Sequence, residues 1–181
     1  MPGSVVIYRI DARDEICYVN PGYDEFAKAN DALHLMSHFV LHRPLWAFIS
    51  DPTTALLFRD IVQRVRGGRT VRFPFRCDAP HRRRMLEMQV SNVGNGEIEF
   101  HVRRLHEEDR PIPALLDPQT GRSSEHVRAC SWCKKILVGA VWHEVEEAVA
   151  RLRLFERVPL PQVTHGICKP CEERVLQAME E

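Results

Sequence analysis

The residues best suited to chemistry are two cysteine pairs of one spacing, Cys130-Ser-Trp-Cys133 and Cys168-Lys-Pro-Cys171. Two residues between thiolates let one tight turn present both sulfurs to a single ion, and a second such turn completes a tetrahedron. The pattern points to a structural zinc ion held by Cys130, Cys133, Cys168 and Cys171. A shell closed by four protein ligands leaves no position for a substrate. A Cys-x-x-Cys can also be a redox dithiol, but neither pair is flanked by the strand and helix of a βαβ unit. Covalent haem attachment needs a histidine directly after the second cysteine, where Lys134 and Glu172 stand. An iron–sulfur cluster would use the same ligands, and the symmetry of the set in a small folding unit favours zinc. His165, three positions before Cys168, is a candidate accessory ligand or a hydrogen-bond partner of a thiolate; the plainer reading is a turn histidine outside the shell.

Other reactive residues carry weaker signals. Cys17 and Cys77 sit inside apolar strand patterns and read as small core residues. His34, His38 and His42 recur every fourth residue, but Pro44 and the mixed sequence around them predict an irregular, exposed approach to the next helix. Arg82-Arg83-Arg84 reads as a solvated hairpin tip. There is no glycine-rich phosphate loop, nucleophile elbow or Walker motif, so a non-catalytic protein is expected.

The 181 residues carry 25 basic and 25 acidic side chains, for a formal charge of zero, and 44% hydrophobic residues. That is enough for one ordinary domain with a small satellite. Fifteen basic and 12 acidic residues fall up to Leu105, and 10 and 13 beyond it. Neither half has the excess of a nucleic-acid binder. Met1 to Tyr8 shows no secretory pattern, so a cytoplasmic location without a membrane is expected.

These residues are positioned by a readable order of elements. Residues 4–10 and 15–19 predict a strand hairpin around a turn at 11–14. Asn20-Pro21 predicts a capped helix to about Asn30, and Asp51-Pro52 another, carrying Phe58, Ile61, Val62 and Val65 on one face before Gly67-Gly68. Three alternating segments follow. Val71, Phe73, Phe75 and Cys77 are expected inward; Leu86, Met88 and Val90 come next, then Ile98, Phe100 and Val102, with turns at 79–81 and 94–96. Residues 106–129, with Pro111, Pro113, Pro118 and Gly121, read as a linker. The stretch between the cysteine pairs reads largely as helix, with Trp142, Val145, Val149 and Leu152 at helical spacing and Ala148 and Phe155 widening the stripe. Pro159 and Pro161 end it, 162–164 predicts a short strand, and a last helix opens near Pro170.

The element order, the phrase Ile16-Cys17-Tyr18-Val19-Asn20-Pro21, the run Leu45-Trp46-Ala47-Phe48-Ile49 and the closing three-strand meander together resemble a PAS domain over roughly residues 4–105. The resemblance implies a five-stranded antiparallel sheet cupping helices, used in bacterial signalling to hold a small ligand or to pair with a second copy as a homodimer. Phe26, Trp46, Phe48, Ile61, Phe75 and Met88 would then face the interior, lining a ligand pocket or filling it. Haem-binding PAS proteins place a histidine in the helix that here begins at Pro52, which contains none; the flavin-adduct motif of the photosensory branch is also missing. The run Cys130-Ser-Trp-Cys133-Lys-Lys, then Trp142, then Thr164-His165-Gly166-Ile167-Cys168 resembles a tail that follows PAS or receiver modules in bacterial sensory proteins and is similar to a treble-clef zinc finger.

The expectation is an α+β chain: a PAS-like domain over residues 1–105, a linker over 106–129, and a small helical four-cysteine zinc module over 130–181. Its expected role is regulatory, with a signalling protein as partner. Two other classes stay open: a thiol-based redox or metal sensor, and a zinc-dependent nucleic-acid binder using Arg82 to Arg84, which the acidic balance of the tail opposes.

Overall fold

The computed structural model describes residues 5–117, 119–156 and 158–180. Ser4, which opens the expected first strand, and Pro118, in the expected linker, lie outside the described residues. Strands β1 (Val6–Ile10) and β2 (Ile16–Val19) form the expected antiparallel hairpin. Asn20 then ties strand to helix with one side chain. Its Oδ1 accepts from the Tyr23 and Ile7 amides at 3.0 and 2.9 Å, and its Nδ2 donates to the Val5 carbonyl at 2.8 Å. With Pro21 pre-set for a first helical position, this starts α1 (Pro21–Ala29). Gly22 lies so close to β1 that a Cβ there would stand 2.3 Å from the Val5 carbonyl oxygen.

Short 3-10 turns at Leu33–Leu35 and Leu45–Phe48 flank the four-residue helix α2 (Ser37–Val40). Helix α3 (Pro52–Arg66) starts where Asp51 accepts from the Thr54 amide at 2.8 Å. It buries Ile61, Val62 and Val65, the face set by the 3.6-residue period. Strands β3 (Val71–Arg76), β4 (Arg82–Gly94) and β5 (Glu97–Asp109) complete a five-stranded sheet in the order β2-β1-β5-β4-β3. Antiparallel strands with the helices inserted between β2 and β3 are the PAS-like arrangement that the resemblance implies. Leu86, Met88 and Val90, with Ile98, Phe100 and Val102, point into the core. Their alternate neighbours form ion pairs on the other face, such as Arg9 with Glu99 at 2.8 Å and Arg103 with Glu87 at 2.7 Å. Asn95 and Gly96, both at positive φ, make the two-residue turn between β4 and β5.

The alternation of β3 differs from expectation. Val71 and Phe73 are buried, but beyond Pro74 it is Arg76 that is buried while Phe75 is half-exposed. Proline offers no N–H to a ladder and is tolerated on this edge strand, and the inward alternation does not continue across it.

Two further corrections concern the C-terminal part. Residues 106–129 are not a linker: β5 runs on to Asp109, a 3-10 turn follows at Ala114–Leu116, and β6 (Arg122–Cys130) begins soon after. Nor is the stretch between the cysteine pairs mainly helical. It holds a hairpin of β7 (Ile136–Val138) and β8 (Val141–His143), turning at Gly139 with φ +61°, then the seven-residue α4 (Val145–Arg151) and a 3-10 turn at Leu154–Glu156. Trp142 is therefore a strand residue, and Phe155 is 74% exposed. Strand β9 (Leu160–Gly166) and α5 (Lys169–Glu180) follow. The second sheet has the order β8-β7-β6-β9, with β6 antiparallel to β7 and parallel to β9. Its core joins Leu115, Ala129, Ile136, Val145, Ala148, Val149, Leu154 and Leu160.

The described residues of Met1–Pro74, Leu86–Leu105 and Arg174–Glu181 form one compact unit, and those of Phe75–Met85 and His106–Glu173 a second. The tip of the β3–β4 hairpin thus belongs with the cysteine module, and the last part of α5 with the PAS-like unit. No described helix is long and apolar enough to cross a membrane.

Candidate metal centre

Cys130 is the last residue of β6, and the chain turns back on itself at once. The Lys134 amide donates to the Cys130 carbonyl at 2.9 Å, the Cys130 amide to the Lys135 carbonyl at 2.8 Å, and Lys134 takes φ +62°. Cys133 sits on this knuckle. Parallel pairing sets Cys130 beside Gly166, and the Ser131 amide donates to the Gly166 carbonyl at 2.7 Å. The second pair therefore arrives two residues later, at the start of α5. The Cys168 carbonyl accepts from the Cys171 and Glu172 amides at 2.9 and 3.1 Å, which wraps Cys171 into the first helical turn. The Cys168 amide donates to the Cys130 sulfur at 3.4 Å.

All four sulfurs lie within 4.8 Å of one another, with Cys133 and Cys168 3.7 Å apart, and none of the four is joined in a disulfide. A tetrahedral ion with metal–sulfur bonds of about 2.3 Å sets its sulfurs about 3.8 Å apart, so the donor set fits zinc. Cys130, Cys168 and Cys171 are buried and Cys133 half-buried. Four thiols this close compete for protons. Hydrogen bonds from Cys133 and Cys171 hold Cys130 far below the usual thiol range. The bond to Cys130 pushes Cys133 up to about 11, and bonds to Cys130 and Cys133 raise Cys171 further. A divalent cation removes that competition by ionising every ligand.

The remaining expected residues divide clearly. His165 is an exposed residue of β9 and is not among the grouped ligand atoms. His34, His38 and His42 are exposed and lie on a 3-10 turn, a one-turn helix and a residue at φ +62°, so they do not share a helical face. Cys17 and Cys77 are half-buried, and burial pushes both thiols up. Among the pocket residues Ile61 and Met88 are buried, while Phe26, Trp46, Phe48 and Phe75 are half-buried. Trp46 carries the Arg59 guanidinium 4.1 Å above its ring and donates to Asp14 at 3.0 Å, and Phe48 carries Arg43 at 5.0 Å.

Arg82 to Arg84 do not form a solvated tip. Counting outward from the turn at Asn95-Gly96 sets 82, 83 and 84 opposite 109, 108 and 107, and the ion pairs follow: Arg82 with Asp109 at 3.0 Å, Arg83 with Glu108 at 2.9 Å, Arg84 with Glu107 at 3.3 Å. That symmetry about the turn was available in the sequence. A buried group that the sequence reading missed adjoins it. Arg76, with its side chain 8% exposed, pairs with Asp78, which is 5% exposed, and with Glu144 at 2.7 Å. Arg110 reaches Asp78 at 3.4 Å and Glu146 at 3.2 Å. Burial works against the Arg76 charge, but the hydrogen bonds to Asp78 and Glu144 outweigh it and raise its pKa. The Arg76 amide also donates to the Trp132 carbonyl, between the first two cysteines, at 2.7 Å. The hairpin tip thus braces the first knuckle.

No protein-family model and no curated protein matches the chain. Solved structures similar to part of it include a domain of an HTR-like protein from Haloarcula marismortui, at 14% identity over 56% of this chain and 98% of that one, with a TM-score of 0.36. The PAS domain of BvgS from Bordetella pertussis aligns at 17% identity over 58% and 74%, with a TM-score of 0.37. A sensory box sensor histidine kinase from Vibrio cholerae aligns at 12% identity over 56% and 82%, with a TM-score of 0.38. The functional reading rests on the chain's own residues.

Proposed function

We propose that this chain is a non-catalytic signalling protein in which a PAS-like unit, through a small ligand or a second copy, alters how a structural zinc module is presented to a signalling partner. The observation that carries the reading is the mutual approach of four cysteine sulfurs within 4.8 Å. Filled by one ion, that shell is closed and offers substrate no coordination position, so the metal's work is folding. The apolar cluster described in the second unit, from Leu115 to Leu160, is small, and a metal supplies stability to a core of that size. Elemental analysis with a visible absorption spectrum tests this: one zinc per chain in a colourless sample supports it, and a coloured chromophore overturns it in favour of iron, haem or flavin.

One observation favours a second reading, the redox sensor. Cys133 is the least buried of the four ligands and the one an oxidant reaches first. Zinc release at low peroxide, reversed by a thiol reductant with the PAS-like unit still folded, would select it. Against the nucleic-acid reading, Arg82, Arg83 and Arg84 each pair with an acid.

A further inference from the structure

Helix α5 has two ends with different anchors. At its start, Cys168 directly precedes the helix and accepts its first amides, and Cys171 stands three residues on. This is the spacing at which a capping box joins the cap residue to the third helical residue, so one metal ion bound by both sulfurs closes the first turn as that side-chain pair would. At its other end, the Arg69 guanidinium donates to the Met179 and Glu180 carbonyls at 3.1 and 2.9 Å, satisfying groups that a helix terminus leaves open.

The buried residues between these anchors lie on one stripe. Cys171, Val175 and Met179 are all buried and recur every fourth residue. Residues 174–180 pack in the PAS-like unit, whereas 169–173 belong to the cysteine module. Twelve residues are too few for a helix to persist in water on its own, and the last turns bury little beyond Val175, Ala178 and Met179. We propose that metal binding at the four cysteines controls whether the last turns of α5 stay folded on the PAS-like unit, so that the zinc module reports its metal state through this helix. The inference rests on the metal reading above and adds a regulatory consequence to it. Linkage makes the effect reciprocal: what releases the far end of α5 weakens metal binding by the same factor.

The test uses the full chain with zinc removed by a chelator and then restored, read by amide hydrogen exchange. On metal removal, protection of Val175 to Met179 falls at least about fivefold, the opening that an uncapped N-terminus alone produces. Amides of Ile98 to Val102 serve as an internal control and stay protected. Arg69→Ala frees the Met179 carbonyl, roughly 12 Å along the helix from Cys171, and weakens zinc binding by about fivefold in competition with a chromogenic chelator. Zinc uptake of one per chain with protection changed by less than about twofold and an unaltered Arg69→Ala affinity overturns this inference alone. No zinc uptake overturns the metal reading and this inference together.

Discussion

Asp78 is where the structure makes its sharpest energetic statement. Its carboxylate is 5% exposed and serves two guanidiniums that are nearly as buried, Arg76 and Arg110. Asp78→Ala leaves both cations in place and removes the acceptor they share. Breaking a buried pair in this way costs about 3–5 kcal/mol, and because Arg76 keeps Glu144 and Arg110 keeps Glu146, the lower end, about 3 kcal/mol, is expected. Asp78→Asn keeps an acceptor but loses the charge, and is expected to cost about 1–2 kcal/mol. The assay is urea unfolding followed by tryptophan fluorescence in a Trp46→Phe background, which leaves Trp132 and Trp142 to report on the cysteine module. For Asp78→Ala the midpoint falls by about 1–2 M urea. A loss below about 1 kcal/mol, the value of an exposed ion pair, would refute the reasoning, because it would mean the group is solvated.

Four further outcomes follow from the same geometry. Gly22→Ala forces a Cβ onto the Val5 carbonyl and lowers the stability of the PAS-like unit by about 2 kcal/mol or more, read as a drop in its Tm. Asn20→Ala removes the α1 cap and the tie to β1 and costs about 1–2 kcal/mol in the same assay. Cys130→Ser, at a fully buried ligand, raises the zinc dissociation constant by about a hundredfold or more, roughly a quarter of the binding free energy of a four-ligand site, and chelator competition measures it. Hydrogen bonds from the Ser37 amide and hydroxyl hold the Asp24 carboxyl below its ordinary value. Its contribution is complete above the unfolded carboxylate pKa of about 4 and lost as pH falls through the lower folded value, so Asp24→Asn flattens stability against pH in that acid window.

The parts of the fold that the sequence made legible are those with local punctuation. Asn20-Pro21 and Asp51-Pro52 start helices where cap chemistry puts them, and the alternation of Leu86 to Val90 and Ile98 to Val102 marks the inward face. Strand β6 was illegible because it is held by backbone pairing to β9 rather than by an apolar face; most of Arg122–Arg128 is exposed or half-exposed. The β7–β8 hairpin was misread because Trp142, a residue of β8, falls by coincidence in helical period with Val145 and Val149 of α4, while Gly139 at positive φ turns the chain. The grouping of the four cysteine sulfurs was readable from spacing alone. The sequence did not reveal that Arg76 is buried, since that depends on Asp78 and on Glu144, which is brought in from 68 residues away.

The central claim is that the four thiolates surround one ion, and X-ray absorption at the zinc edge of the purified chain tests it most directly. The expected result is one zinc per chain with four sulfur neighbours at about 2.3 Å. A shell containing nitrogen or oxygen ligands, or a metal-free chain with Cys130–Cys133 or Cys168–Cys171 joined as a disulfide, would contradict it.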